Sequence, residues 1–150
     1  MRATAGGFVS RSDVPDTFAE FVRQFDEEMC WTYLVRSRWP QGVEGACGFA
    51  KRRTLWLMPD GRQVSLMSGT IMHRSHAPLT LWVRIGYLTM RNPDLPIIAI
   101  ARMLKQNAET TWRVATRCRH QLAKWRKRGR VPTLGQLLTA DRMAVKKSNT

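Results

Sequence analysis

The chain has 150 residues, 43% of them hydrophobic, a formal net charge of +14 and a pI near 11.2. This length suits one domain or two very small ones, and the apolar content supports a modest core and excludes global disorder. The charge favours a polyanion such as DNA, RNA or an acidic membrane surface. No apolar run reaches membrane-spanning length and no signal-peptide core follows the N-terminus, so a cytoplasmic protein that does not enter a membrane is expected.

The charge is sorted along the chain. Residues 1–30 carry the acids Asp13, Asp16, Glu20, Asp26, Glu27 and Glu28 against Arg2, Arg11 and Arg23, whereas the stretch from Arg113 to Arg130 holds eight bases and no acid. The cysteines Cys30, Cys47 and Cys118 form no C-x-x-C pair. They read as buried or incidental thiols, with no disulfide framework, metal or cofactor expected.

In chain order, residues 1–16 are rich in Gly, Ser and Ala and read as a flexible start. Thr17-Phe18-Ala19-Glu20 fits a capping box, with Phe18, Phe21, Val22 and Phe25 as the apolar face behind it. A second helix starts after Asp26, runs through Met29, Cys30, Tyr33 and Leu34, and ends at Trp39-Pro40-Gln41-Gly42, because proline disfavours helix in the residue before it. Residues 42–50 read as a Gly-rich loop. Arg53–Leu57 and Arg62–Leu66 flank Met58-Pro59-Asp60-Gly61, a hairpin signal in which Pro presets φ and Gly accepts a positive φ. Ser68-Gly69-Thr70 closes this unit, which occupies residues 17–76.

Residues 77–130 read as three helices. Pro78 opens the first, whose shared face is Leu79, Trp82, Val83, Gly86, Tyr87 and Met90, and Asn92-Pro93-Asp94 is the turn after it. The next places Ile97, Ile100, Ala101 and Leu104 at i, i+3, i+4 and i+7, one apolar stripe with Pro96 just inside its start. Lys105-Gln106-Asn107 interrupts it, and Asn107 suits the N-cap of the last helix. That helix is expected to bury Ala108, Trp112, Ala115 and Leu122. Its outer face is expected to carry Thr110, Arg113, Arg117, His120, Gln121 and Lys124. The basic run from Ala123 to Arg130 either extends the helix or forms an arm. Residues 131–150 read as a C-terminal tail with a short apolar patch at Val131, Leu134, Leu137 and Leu138. The expected class is mainly α, of the α+β kind: N-terminal helices, a short β-hairpin and a trihelical helix-turn-helix unit.

A short helix, a tight turn and a helix with an Arg- and Thr-bearing face is the layout of a major-groove reader of double-stranded DNA. On that reading Thr110, Arg113 and Arg117 contact base edges, where Arg is bidentate to guanine. Arg119, Lys124, Arg126, Lys127, Arg128 and Arg130 hold phosphates. Trp82 and Trp112 fall on the apolar stripes and are expected in the core. The bland alternative is a helical hairpin with a solvated basic face.

Several stretches then line up in order: the aromatic acidic helix, Arg38-Trp39-Pro40-Gln41-Gly42, Cys47-Gly48, the segment from Gln63 to His73, Pro78-Leu79, Trp82, and Thr111-Trp112 in the last helix. This set, over roughly residues 17–122, resembles the N-terminal half of bacterial insertion-sequence transposases that begin with a zinc ribbon. The resemblance implies sequence-specific binding at the inverted repeats of an insertion element. It also implies association with the nucleoid, a role in transposition and DNA recombination, and a separate catalytic transposase chain or a homodimer as protein partner.

Two departures matter. Only Cys47 matches a ribbon ligand, with Gly45 or Ala46, Leu57 and Asp60 where the others belong; His73 and His76 are the only other candidates. A structural zinc needs four ligands, so a degenerate, metal-free ribbon is expected, packed by Leu55, Trp56 and Leu57 instead. The family's catalytic core needs three acids, and after Glu109 only Asp141 follows. A DNA-binding role without catalysis is therefore expected. A stand-alone helix-turn-helix transcription regulator rests on the same physics. A basic RNA-binding protein would show exposed aromatics for stacking on bases.

Overall fold

The computed structural model describes residues 14–140. Asp141, the polar end after it and most of the Gly-rich start lie outside the described residues. The described residues fold as α+β, with six helices and a three-stranded antiparallel sheet, in the order α1 (Phe18–Gln24), α2 (Glu27–Arg38), β1 (Gly48–Phe49), β2 (Leu55–Leu57), β3 (Gln63–Ser65), α3 (Leu79–Arg91), α4 (Ile97–Leu104), α5 (Ala108–Lys127) and α6 (Leu134–Thr139).

The first two helices start where their caps put them. Thr17 Oγ1 accepts from the Glu20 amide at 3.2 Å, and Asp26 Oδ1 accepts from the Met29 amide at 2.8 Å. Each satisfies an amide that the first helical turn leaves without an intrahelical partner. The residues just before α1 are held rather than loose, for Tyr87 donates its hydroxyl to the Pro15 carbonyl at 2.6 Å. Phe21 stacks on Phe25 and on Tyr87 with centroids 4.4 and 4.0 Å apart, which seats α1 on α3.

Helix α3 is the hub. Leu81, Trp82, Val83, Ile85, Gly86, Tyr87, Leu88 and Thr89 are all buried. A helix that is apolar on nearly every side belongs in the interior, and α3 packs against α1, α2, α5 and α6. The C-terminal segment, expected as a tail, contributes a core helix. Thr133 and Gln136 form a complete capping box for α6, and Leu134, Leu137 and Leu138 are buried against α2 and α3. Glycines permit this contact. A Cβ on Gly86 would lie 3.0 Å from Leu134, and one on Gly135 only 2.0 Å from Ser37 Oγ.

The hairpin forms as its turn chemistry dictates. Gly61 takes φ +88°, its amide donates to the Met58 carbonyl at 2.9 Å, and Leu57 pairs with Gln63. The stretch 42–50, expected as a loop, instead supplies β1 on the other side of β2, with Phe49 opposite Trp56. The sheet is pinned to α2 by rings: Trp56 lies 5.1 Å from Trp39, 5.6 Å from Phe49 and 6.3 Å from Trp31. Arg53 covers Trp31 at 4.0 Å and makes a bidentate pair with Glu28 at 2.7 and 2.9 Å. Arg38 donates to the carbonyls of Ser65 and Leu66, so the Arg-Trp-Pro entry and the exit from the hairpin are physically one contact. Of Leu55, Trp56 and Leu57, only Trp56 is buried. Side chains alternate along a strand, so its two neighbours point to the opposite face.

Candidate nucleic-acid interface

Helix α4 ends at Lys105, which adopts the left-handed conformation at φ 54°, and the Gln106 amide closes on the Ala101 carbonyl at 2.9 Å. Two residues later the Asn107 side chain accepts from the Thr110 amide at 2.7 Å and opens α5. A three-residue turn thus joins an eight-residue helix to one of twenty residues. Pro96 stands at the N-cap of α4, one position earlier than its sequence reading. The basic run continues α5 through Lys127. Arg128 caps it half-buried, and the chain turns away at Gly129 with φ +72°.

The buried side of α5 consists of Thr111, Val114, Ala115, Cys118, Gln121 and Leu122. This corrects the expected division. Trp112, placed in the core from sequence, is 55% exposed, and Ala108 is exposed too; Gln121, placed on the outer face, is 1% exposed. A helix turns by about 100° per residue, so the row facing solvent is Glu109, Trp112, Arg113, Thr116, His120 and Lys127, roughly 70° round from the expected row. The signal for this was present. Val114, Cys118 and Leu122 repeat every four residues, and weighting Trp112 as core drew the stripe away from them.

The site residues divide accordingly. Arg113 is exposed on the outer row and pairs with Glu109 at 3.2 Å, an exposed contact of little energetic weight. Thr110 is half-buried on the flank of α5. Arg117 is on that flank too, and its guanidinium is engaged: Nη1 donates to the carbonyls of Ile71 at 3.1 Å and His73 at 3.0 Å. Arg119, expected on a phosphate, donates to the Leu95 carbonyl and ties α5 to the turn before α4. Lys124, Arg126, Lys127 and Arg130 are exposed, whereas Arg128 is half-buried.

Two clefts share a wall formed by Arg74, Ser75 and His76. One, of about 360 Å³, lies between α5 and the segment 74–78 and is rimmed by Arg74, His76, Gln106, Thr110, Arg113 and Arg117. The other, of about 560 Å³, lies between the same segment and the hairpin, with Arg52, Thr54, His73, Arg74 and His76 in its wall. None of the described residues lining either cleft is acidic. Arg52 and Arg74 had no place in the sequence reading, because nothing local marks a loop arginine as part of a cleft wall built from segments distant in the chain.

Cys47 is exposed and its amide donates to the Leu57 carbonyl at 2.8 Å, so the segment pairs as sheet. Among the described residues no group of three His, Cys, Asp or Glu side chains comes together that could hold a metal ion. His73 and His76 line the clefts with no third ligand of that kind beside them.

The fold and this face define the class: a small α+β protein whose longest helix turns a basic, aromatic-bearing row to solvent. No protein-family model matches the chain, and no curated protein and no solved structure matches it significantly. No helix of the described residues is long and apolar enough to cross a membrane.

Proposed function

We propose that this chain binds double-stranded DNA in a sequence-selective way, with α5 as the element that enters the major groove. The observation that carries the reading is the outer row of α5. Arg113, Thr116, His120 and Lys127 stand in line on a helix capped by Asn107 and preceded by a short helix and a three-residue turn. Arg113 sits near the N-terminal end of that row, where a recognition helix meets base edges, and its fork matches guanine O6 and N7. Glu109, also on the row, accepts a hydrogen bond from Arg113 when free and from a cytosine amino group when bound. Lys124, Arg126, Lys127 and Arg130 supply phosphate contacts at the far end.

On the resemblance, the role is that of the DNA-recognition part of a transposase-like protein at the ends of an insertion element, without catalysis of its own. A stand-alone regulator would bind by the same contacts.

A second reading is favoured by Trp112. A tryptophan this exposed beside Arg113 near the N-terminal end of the row is a stacking platform for unpaired bases, as single-stranded RNA or DNA binding requires. Selection of bound duplexes from a random pool, followed by titration of the winner against its own single strands, separates the two. Enrichment of a shared duplex motif supports the first reading; tighter binding of the separated strands with no motif overturns it.

A further inference from the structure

The segment 73–76 is held more firmly than a connecting loop requires. Arg117 grips the Ile71 and His73 carbonyls from α5. Trp82, on α3, donates its indole N–H to Ser75 Oγ at 2.9 Å, and that oxygen also accepts from the Ala77 amide at 3.0 Å. The His73 and Ser75 amides close short turns on Thr70 and Met72 at 3.1 Å each. Arg74, at the crest, stands at φ +60°, a left-handed backbone that a residue with a Cβ adopts at a cost. The result is a rigid ridge with one arginine-lined cleft on each side, and Arg74 and His76 belong to both walls.

The dimensions of DNA say what such a ridge meets. The major groove is about 12 Å wide and a helix with its side chains is about 10–12 Å across. A helix seated there fills the groove, so a structure standing directly beside it faces the sugar-phosphate wall. The ridge stands beside the flank of α5 that carries Thr110 and Arg117, with Arg113 of the outer row at the cleft's rim, and no acid lines the clefts to repel a phosphate.

Resting on the reading of α5 as a groove reader, we propose that the ridge and its two clefts form the contact surface for one DNA backbone. Arg74 binds a phosphate between the clefts, and Arg52 binds a neighbouring one from the hairpin side. The degenerate ribbon hairpin thereby becomes part of the DNA footprint, and Arg117 acts as a positioning residue that fixes the ridge to the reading helix.

The test uses the full chain with Arg74→Gly, Arg52→Ala and, as a control, Arg23→Ala at an exposed position of α1. Binding to the selected duplex and to random duplex is titrated at several salt concentrations, with thermal melting of each variant. Glycine accepts the left-handed backbone freely, so Arg74→Gly should melt no lower than the unaltered protein. It should still weaken both duplexes alike, roughly tenfold near 0.1 M salt, and flatten the plot of log affinity against log salt by about 0.9. Arg52→Ala should do the same with unchanged melting, and Arg23→Ala should do neither. If Arg74→Gly and Arg52→Ala leave affinity and salt slope unchanged while the unaltered protein still binds its selected duplex, the ridge is not a backbone contact and the α5 reading stands. If the unaltered protein binds no duplex, both fall.

Discussion

Arg117 Nη1 lies 3.0 Å from the carbonyl oxygen of His73, forty-four positions away in sequence. This bond, with its companion to Ile71, takes an arginine that sequence spacing assigns to base contact and makes it a brace between α5 and the preceding segment. Its neighbour Arg113, one helical turn earlier, has only an exposed partner on its own helix.

The two arginines should therefore respond differently to substitution. Arg113→Ala should leave stability within about 0.5 kcal/mol, as for other surface changes, and cost about 1–3 kcal/mol on the selected duplex with much less effect on random duplex. Arg117→Ala removes charge-assisted bonds to two carbonyls. It should lower stability by about 1–2 kcal/mol and weaken both DNAs together. Urea unfolding and paired binding titrations measure both quantities. Equal weakening of the two DNAs by Arg113→Ala would overturn its role as a reader.

Trp82 and Trp112 provide a second contrast. Trp82 is 1% exposed in the first turn of α3, and Trp82→Ala should cost about 3–5 kcal/mol. Trp112→Ala, at an exposed site, should barely alter the unfolding midpoint while weakening nucleic-acid binding. Should Trp112→Ala instead unfold the protein, the exposed placement of this ring is wrong. A larger loss on single strands than on duplex would favour the stacking role.

At Gly135, where α6 crosses α2, the helix amide accepts no substitute geometry. Its N–H donates to Tyr33 Oη at 2.8 Å, and an added Cβ would fall 2.6 Å from Ser37 Cβ. Gly135→Ala should therefore destabilise by about 1–3 kcal/mol, despite alanine's better helix propensity. Gly135→Ala combined with Ser37→Gly should recover much of that loss, because the clash is with the Ser37 side chain. Denaturation of the single and double variants checks this, and a neutral Gly135→Ala would show that α6 is not seated as described.

The buried thiols predict an alkaline limit to stability. Burial pushes the Cys118 thiol up to about 12 and the Cys30 thiol up to about 11 from an ordinary 9.0. A raised folded-state pKa means that the folded protein keeps a proton the unfolded chain releases. This stabilisation is complete below the unfolded value of 9.0 and is lost as pH rises through the folded values of about 11 and 12. Unfolding midpoints should fall from about pH 9 upward, and the fall should be shallower in Cys118→Ala. In the native protein at neutral pH a thiol reagent should modify exposed Cys47 first, with Cys30 and Cys118 reacting only on unfolding. Prompt modification of Cys118 in the folded protein would contradict its burial.

Much of the fold follows from local chemistry that the sequence displays. Thr17, Asp26 and Asn107 cap the helices they precede because their side-chain oxygens meet amides three residues on, a relation within one turn of chain. Met58-Pro59-Asp60-Gly61 makes the hairpin for the same reason, and the net charge of +14 points to a polyanion without any structure. Tertiary packing decided the rest. The orientation of α5 depends on what α3, α4 and α6 present to it. They accept the slim Thr111, Val114 and Cys118 side and enclose the stem of Gln121, and Trp112 is left to solvent. Hydrophobicity ranks a tryptophan as core, but a helix has one buried side and its neighbours choose which. Likewise, α6 belongs to the core only because Gly86 and Gly135 let three helices approach closely. Arg74 comes beside α5, and shares a cleft wall with Arg52 on the hairpin side, only because Arg117 and Trp82 hold the intervening segment there. Contacts between residues distant in the chain leave no periodicity to read.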